Sequence, residues 1–169
     1  MRLNKLLFVL ILCGYFSAQS FALSTDKDQP VEVEADNFTL DDAKKLTTYS
    51  GDVIITQGSM RIEADKISIH NSSGKTDKVV ANGRPVKFQQ QPDGNQALVR
   101  GEASQFNYLL SKDTLVMTGN ATLWQKGSKF SSDRIEYDSK RSIIKGGAQK
   151  GGNSKRVKII LQPSKSKAE

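Results

Sequence analysis

A four-residue element recurs four times in this chain, and each copy falls where a β-strand has to change the face it turns inward. The copies are Ala35-Asp36-Asn37-Phe38, Ala64-Asp65-Lys66-Ile67, Ala103-Ser104-Gln105-Phe106 and Ser132-Asp133-Arg134-Ile135, spaced by 29, 39 and 29 residues. Each is a small residue, usually an Asp, any residue, then a large apolar one. Five positions before the large residue stand Val33, Ile62, Gly101 and Phe130; seven before stand Val31, Met60, Val99 and Ser128. Side chains an odd number of residues apart on a flat strand point to opposite faces. The spacing therefore predicts bends or bulges at Asp36, Asp65, Ser104 and Asp133, each turning a strand from one sheet towards another. Bends recurring at 29 to 39 residues fit stacked β layers rather than a closed up-and-down barrel.

Alternation carries the rest of the fold class. Val31-Glu32-Val33-Glu34-Ala35, Met60-Arg61-Ile62-Glu63-Ala64 and Ile67-Ser68-Ile69 place apolar side chains on one face and polar ones on the other. That period marks half-buried antiparallel strands. Asn71-Ser72-Ser73-Gly74, Pro92-Asp93-Gly94-Asn95 and Gly146-Gly147 supply the turns. Helical periodicity is missing, and residues 40–46 suffice for one turn at most. A second element, a glycine leading into a new strand, lies between the bends: Tyr49-Ser50-Gly51-Asp52-Val53, Ala81-Asn82-Gly83-Arg84-Pro85-Val86 and Met117-Thr118-Gly119-Asn120-Ala121, with Gly146-Gly147-Ala148 a degenerate fourth. We place these glycines at the edge opposite the bends, supplying positive φ or a close backbone approach. The expected class is all-β, flattened and jelly-roll-like.

Charge and composition limit the partners. Arg2 and Lys5, the apolar run 6–16 and the small residues Ser20 and Ala22 form a signal peptide, residues 1–22, with cleavage expected after Ala22. The run is too short to span a bilayer, and Leu12 before Cys13 is too bulky for a lipoprotein site. Cleavage removes the only cysteine, so no disulfide supports the mature fold. Residues 23–138 carry 14 Lys/Arg against 17 Asp/Glu, whereas residues 139–169 carry 9 basic residues and one acid. The basic end suits a phosphorylated lipid, an acidic partner or plain solvation, and secretion argues against nucleic acid. The domain is expected over residues 23–162, with a basic tail at 163–169.

Groups for catalysis are scarce. His70 is the only histidine, so a Ser-His-Asp triad would have to run through it. With one histidine and no mature cysteine, a zinc site is not expected. Asp26, Asp28, Asp41 and Asp42 suit a solvated acidic loop better than a calcium site. The formal glycosylation sequons at Asn37, Asn71 and Asn120 are short enough to arise by chance and are given no role. No cofactor and no catalytic residue are expected.

By alternation, Val31, Val33, Ile62, Phe88, Phe106, Tyr108, Leu110, Phe130, Ile135 and Tyr137 face inward, with Glu32, Glu34, Glu63, Asn107 and Glu136 outward. Each inward residue is either plain core or the lining of an apolar trough. A stack of strands cannot close on itself. Its first strand, with Val31 and Val33, and its last, with Val157, Ile159 and Leu161, are therefore expected at opposite ends as edges open to strand addition. A secreted β-sandwich that binds glycans or scaffolds proteins is the alternative. Trp124 as the lone tryptophan weighs against a sugar platform.

Taken in order, Gly51-Asp52-Val53-Ile54-Ile55-Thr56-Gln57-Gly58, Ala64-Asp65-Lys66, Gly83-Arg84-Pro85, Ala103-Ser104-Gln105, Thr118-Gly119-Asn120-Ala121 and Leu161-Gln162-Pro163-Ser164 resemble the OstA-like family of lipopolysaccharide export proteins. The resemblance covers essentially the whole mature chain. It implies a twisted, semi-open antiparallel β-jellyroll in the periplasm that binds the lipid A part of lipopolysaccharide. It also implies head-to-tail contact with copies of itself, with an LptC-like protein anchored in the inner membrane, and with an LptD-like outer-membrane translocon. Val31, Phe88, Tyr108 and Leu110 match family positions on the lipid path. The physical need is plain: a dozen-carbon acyl chain in water costs roughly 10 kcal/mol at about 0.8 per CH₂.

Overall fold

A computed structural model describes residues 26–72, 74–92, 96–147 and 156–162; the expected signal peptide and the tail after residue 162 lie outside them. Ten strands form one antiparallel sheet: β1 (Val31–Glu34), β2 (Asn37–Asp41), β3 (Leu46–Gln57), β4 (Met60–Ser72), β5 (Lys75–Gln90), β6 (Val99–Leu109), β7 (Thr114–Gln125), β8 (Ser128–Asp138), β9 (Ile143–Gly147) and β10 (Lys158–Ile160). The order is β1-β3-β4-β5-β6-β7-β8-β10, with β2 also on β3 and β9 also on β8. No helix among the described residues is long and apolar enough to cross a membrane. The expected unclosed β-jellyroll is what forms.

The long strands fold at a common corner. Pairing breaks register between Ser50 and Val53, Glu63 and Lys66, Asn82 and Val86, Glu102 and Gln105, and Thr118 and Ala121. Asp65, Ser104 and Asp133 lie in these breaks, and Asp36 lies in the gap between β1 and β2. The change of parity is visible in burial: Ile62 and Ala64 point inward, and so does Ile67, three residues further on. Each long strand thus contributes one half to a first arm and the other half to a second. The first arm holds β1, β10 and residues such as 53–57, 60–64, 86–90 and 99–103. The second holds β2, β9 and residues such as 66–72, 75–82, 105–109 and 134–138.

The glycine element does not stand at the opposite edge, as linear spacing suggested. It stands in the same corner, against the bend of the neighbouring strand. A Cβ on Gly51 would collide with the Asp36 carboxylate, and one on Gly119 would meet Ser104 Oγ at 2.8 Å. Gly51 and Gly119 have φ of +83° and +79°, so the left-handed turn and the close approach demand glycine together. Further links follow the same plan: Arg84 pairs with Asp65 at 3.3 Å, and Ser132 Oγ donates to the Gly147 carbonyl at 2.8 Å. The bends are tied to one another along the whole stack.

Candidate functional site

Antiparallel partners share a face, so the register defines rows of side chains crossing each arm. In the first arm one inward row is Val33, Ile55, Ile62, Phe88, Gly101, Leu123, Phe130 and Ile159. In the second arm the matching row begins at Phe38 and passes through Tyr49, Ile67, Ala81, Phe106, Met117 and Ile135. A parallel row contains Ile69, Val79, Tyr108, Leu115, Tyr137 and Ile144.

The two arms meet across the interior. Phe88 and Phe106 pack edge to face with centroids 6.4 Å apart, a contact worth about 0.5–1.5 kcal/mol beyond its buried area. Gly101 keeps the arms close, since a Cβ there would lie 2.7 Å from Met117 Sδ. Opposite the corner, Ser142 Oγ donates to Gln96 Oε1 at 2.6 Å, joining the β5–β6 connection on the first arm to the β8–β9 turn on the second.

Ile62, Phe88, Phe106, Ile135 and Tyr137 are buried in this interior, and Val33, Tyr108 and Phe130 are half-buried against it. Val31 belongs to the exposed end, with 54% of its surface accessible. Leu110 is half-buried but stands off the strand: β6 stops at Leu109, and Leu110 begins a 3-10 turn closed by Asp113 in the left-handed region. The last strand also differs from expectation. Only Lys158–Ile160 pair, on β8, which leaves Val157 and Leu161 outside it, although both are exposed and apolar. The first and last strands do occupy opposite ends of the order.

Sequence reading missed several interior members, among them Val53, Leu115, Met117 and Leu123, all at most 3% exposed. Phe38, the large residue of the first bend copy, and Leu40, which the reading did not single out, are exposed apolar residues on β2. Their cross-strand partners Tyr49 and Thr47 could be found only with the register in hand.

Polar groups sort by face. Glu63, Arg61, Arg100, Trp124 and Lys129 lie on the outer face of the first arm by register, with the Lys129 ammonium 5.3 Å from the Trp124 ring. His70 stands between Leu46 and Lys78 in the second arm. Asp26 is engaged in fixing the N-terminal segment: its carboxylate accepts from Ser59 N, Ser59 Oγ and Gln90 Nε2. Asp41 accepts from Lys44, which holds its carboxyl below the ordinary range. Inside, burial and then the nearby Asp113 carboxylate push the Tyr108 phenol up to about 12. Burial, with the Asp138 charge second, also raises Tyr137. Both phenols stay protonated in the neutral pH range.

A family model described as LptA/(LptD N-terminal domain) LPS transport protein matches residues 32–143. The lipopolysaccharide export system protein LptA of Escherichia coli K12 is 39% identical over 168 residues, covering 96% of this chain and 89% of that one. The crystal structure of LptH from Pseudomonas aeruginosa, described as the LptA-homologous periplasmic component of the lipopolysaccharide transport device, superposes with a TM-score of 0.76. It shares 26% identity, covering 83% of this chain and all of that one. A 60-residue stretch is 42% identical to the LPS-assembly protein LptD of Vibrio cholerae, 36% of this chain and 7% of that protein.

Proposed function

This chain belongs to the LptA/(LptD N-terminal domain) family of LPS transport proteins, and from that premise we propose that it binds lipopolysaccharide between its two arms and conducts it across the periplasm without catalysis. The observation that carries the reading is the continuous apolar interior, whose apolar residues become exposed at the two terminal ends. Its middle rows are closed by contact between the arms, while Val31, Phe38 and Leu40 remain exposed at one end and Ile159 and Leu161 at the other. An acyl chain enters by replacing arm-to-arm contacts such as Phe88 on Phe106, with the corner as the fixed side and the Gln96–Ser142 contact as the side that parts. Exchange of apolar contacts for apolar contacts changes the free energy little at each step, so cargo does not stall.

The exposed ends serve assembly. β1 and β10 present free strand edges. Residues 26–42 carry seven acids against one lysine, and residues 139–169 nine basic residues against one acid. Unlike ends of opposite charge make a heterologous contact that repeats along a line. The same geometry suits a jellyroll of the LptD or LptC type as the next layer. In the cell the chain reaches this compartment through its signal peptide, residues 1–22, leaving a domain of 23–162 and a basic tail.

The test replaces single residues by a photo-crosslinking amino acid. Capture of lipopolysaccharide is expected at Phe88, Tyr108 and Phe130 and absent at Glu63 and Glu136. Equal capture at the inward and outward sets would reject the interior path.

A further inference from the structure

Tyr108, Leu115, Tyr137 and Ile144 are consecutive partners in one inward row of the second arm. The two phenols in that row are treated differently. The Tyr108 hydroxyl donates to Asp113 Oδ1 at 3.5 Å. Tyr137 is fully enclosed, and its hydroxyl is the buried side-chain polar atom without a hydrogen-bond partner among the described residues. Packing alone does not call for that oxygen, since Leu115 and Ile144 fill the adjoining places with hydrocarbon. An unpaired buried hydroxyl opposes folding, and it is retained most economically where a partner arrives later.

We propose that the Tyr137 hydroxyl donates a hydrogen bond to the carbonyl oxygen of an acyl ester or amide in the cargo. This inference rests on the lipid-carrying reading above and adds to it a specificity-determining residue. The position suits the chemistry. Tyr137 is the penultimate residue of β8 and lies near the free tip of its arm, one turn before Ser142 at the parting side. A chain lying in the interior with its sugar outside has its linking carbonyl at that depth. A phosphate or sugar ring would stay in water, and the methylene groups offer no acceptor. The carbonyl oxygen is the strong hydrogen-bond acceptor that follows the chain of an acylated glycolipid inside.

Tyr137→Phe removes the oxygen and keeps the ring. Two probes are titrated into the wild type and the variant: purified lipopolysaccharide, and a dodecyl ether glycoside that has chain and sugar but no carbonyl. The variant is expected to melt at the same temperature or higher, to bind lipopolysaccharide about 5- to 10-fold more weakly, and to bind the ether glycoside unchanged. Equal lipopolysaccharide binding by both proteins overturns the proposal. So does equal weakening for the two probes, which would mean altered shape, and so does a lower melting temperature, which would mean the hydroxyl has a partner in the empty protein. Failure of the wild type to bind lipopolysaccharide would instead overturn the lipid-carrying reading, and it is seen before the variant is compared.

Discussion

The middle of the stack and its two ends are built from the same alternating pattern and have opposite fates. Phe106, Met117 and Leu123 in the middle are at most 1% exposed, whereas Phe38, Val31 and Ile159 at the ends are 53–72% exposed. Nothing in their local sequence separates the two groups. The difference lies in neighbours: a middle row has strands on both sides and a facing arm, and a terminal row lacks the next layer. The ends thus carry unfinished core. Exposed apolar rows beside open strand edges are the surface that the proposed assembly would cover.

The largest expected contrast is in stability. Phe106→Ala should cost about 3–5 kcal/mol in chemical denaturation, the range for an aromatic removed from a packed core. Leu161→Asp should change unfolding by less than about 0.5 kcal/mol, as exposed substitutions do. The same variant should sharply reduce self-association in light scattering. Comparable stability losses at both sites would erase the distinction between middle and ends.

A smaller contrast separates the corner from the arm tips. Gly51 and Gly74 both have positive φ, +83° and +75°, but only Gly51 has a neighbour in the way of a Cβ. Gly74→Ala should cost about 1–2 kcal/mol, the left-handed penalty alone. Gly51→Ala should cost that and on the order of 1–3 kcal/mol more, because the Asp36 carboxylate has to move. Equal losses would show that the corner tolerates displacement and is no fixed side.

The smallest effect is one of pH. Tyr108 is raised from 10.0 to about 12, so the folded protein keeps a proton that the unfolded chain gives up. Its contribution is complete below pH 10 and is lost as pH climbs towards 12. Melting temperatures from pH 8 to 12 should fall across that window, and Tyr108→Phe should make the fall shallower. An unchanged slope would place the alkaline loss elsewhere in the interior, with Tyr137 the next phenol raised by burial.

How much was legible in the sequence follows from what each feature depends on. The bends at Asp36, Asp65, Ser104 and Asp133 were readable because a parity break is local to one strand. The place of the glycines was not, since Gly51 meets Asp36 only through the register of β3 on its neighbours. Leu110 was assigned to a strand because alternation continues through it, while Asp113, in a left-handed conformation, ends the pattern in three dimensions. Ile62, Phe88, Phe106, Ile135 and Tyr137 were placed inward by alternation and are buried. Whether such a residue touches protein or lipid depends on the facing arm, which no single strand encodes. Val157 and Leu161 fell outside the last strand because only three residues find partners on β8.

Strand order along the middle of the sheet is chain order, and this bears on how the protein acquires its structure. From β3 to β8 every new strand lays down on the one synthesised just before it, so each of those loop closures is short and its entropy small. Folding can advance as a front from the first hairpin, without waiting for a distant segment. A partly emerged chain already has a surface that templates its own next strand. A front of this kind also has no built-in last step. Adding or removing a repeat changes the length of the stack and not the rule by which it grows.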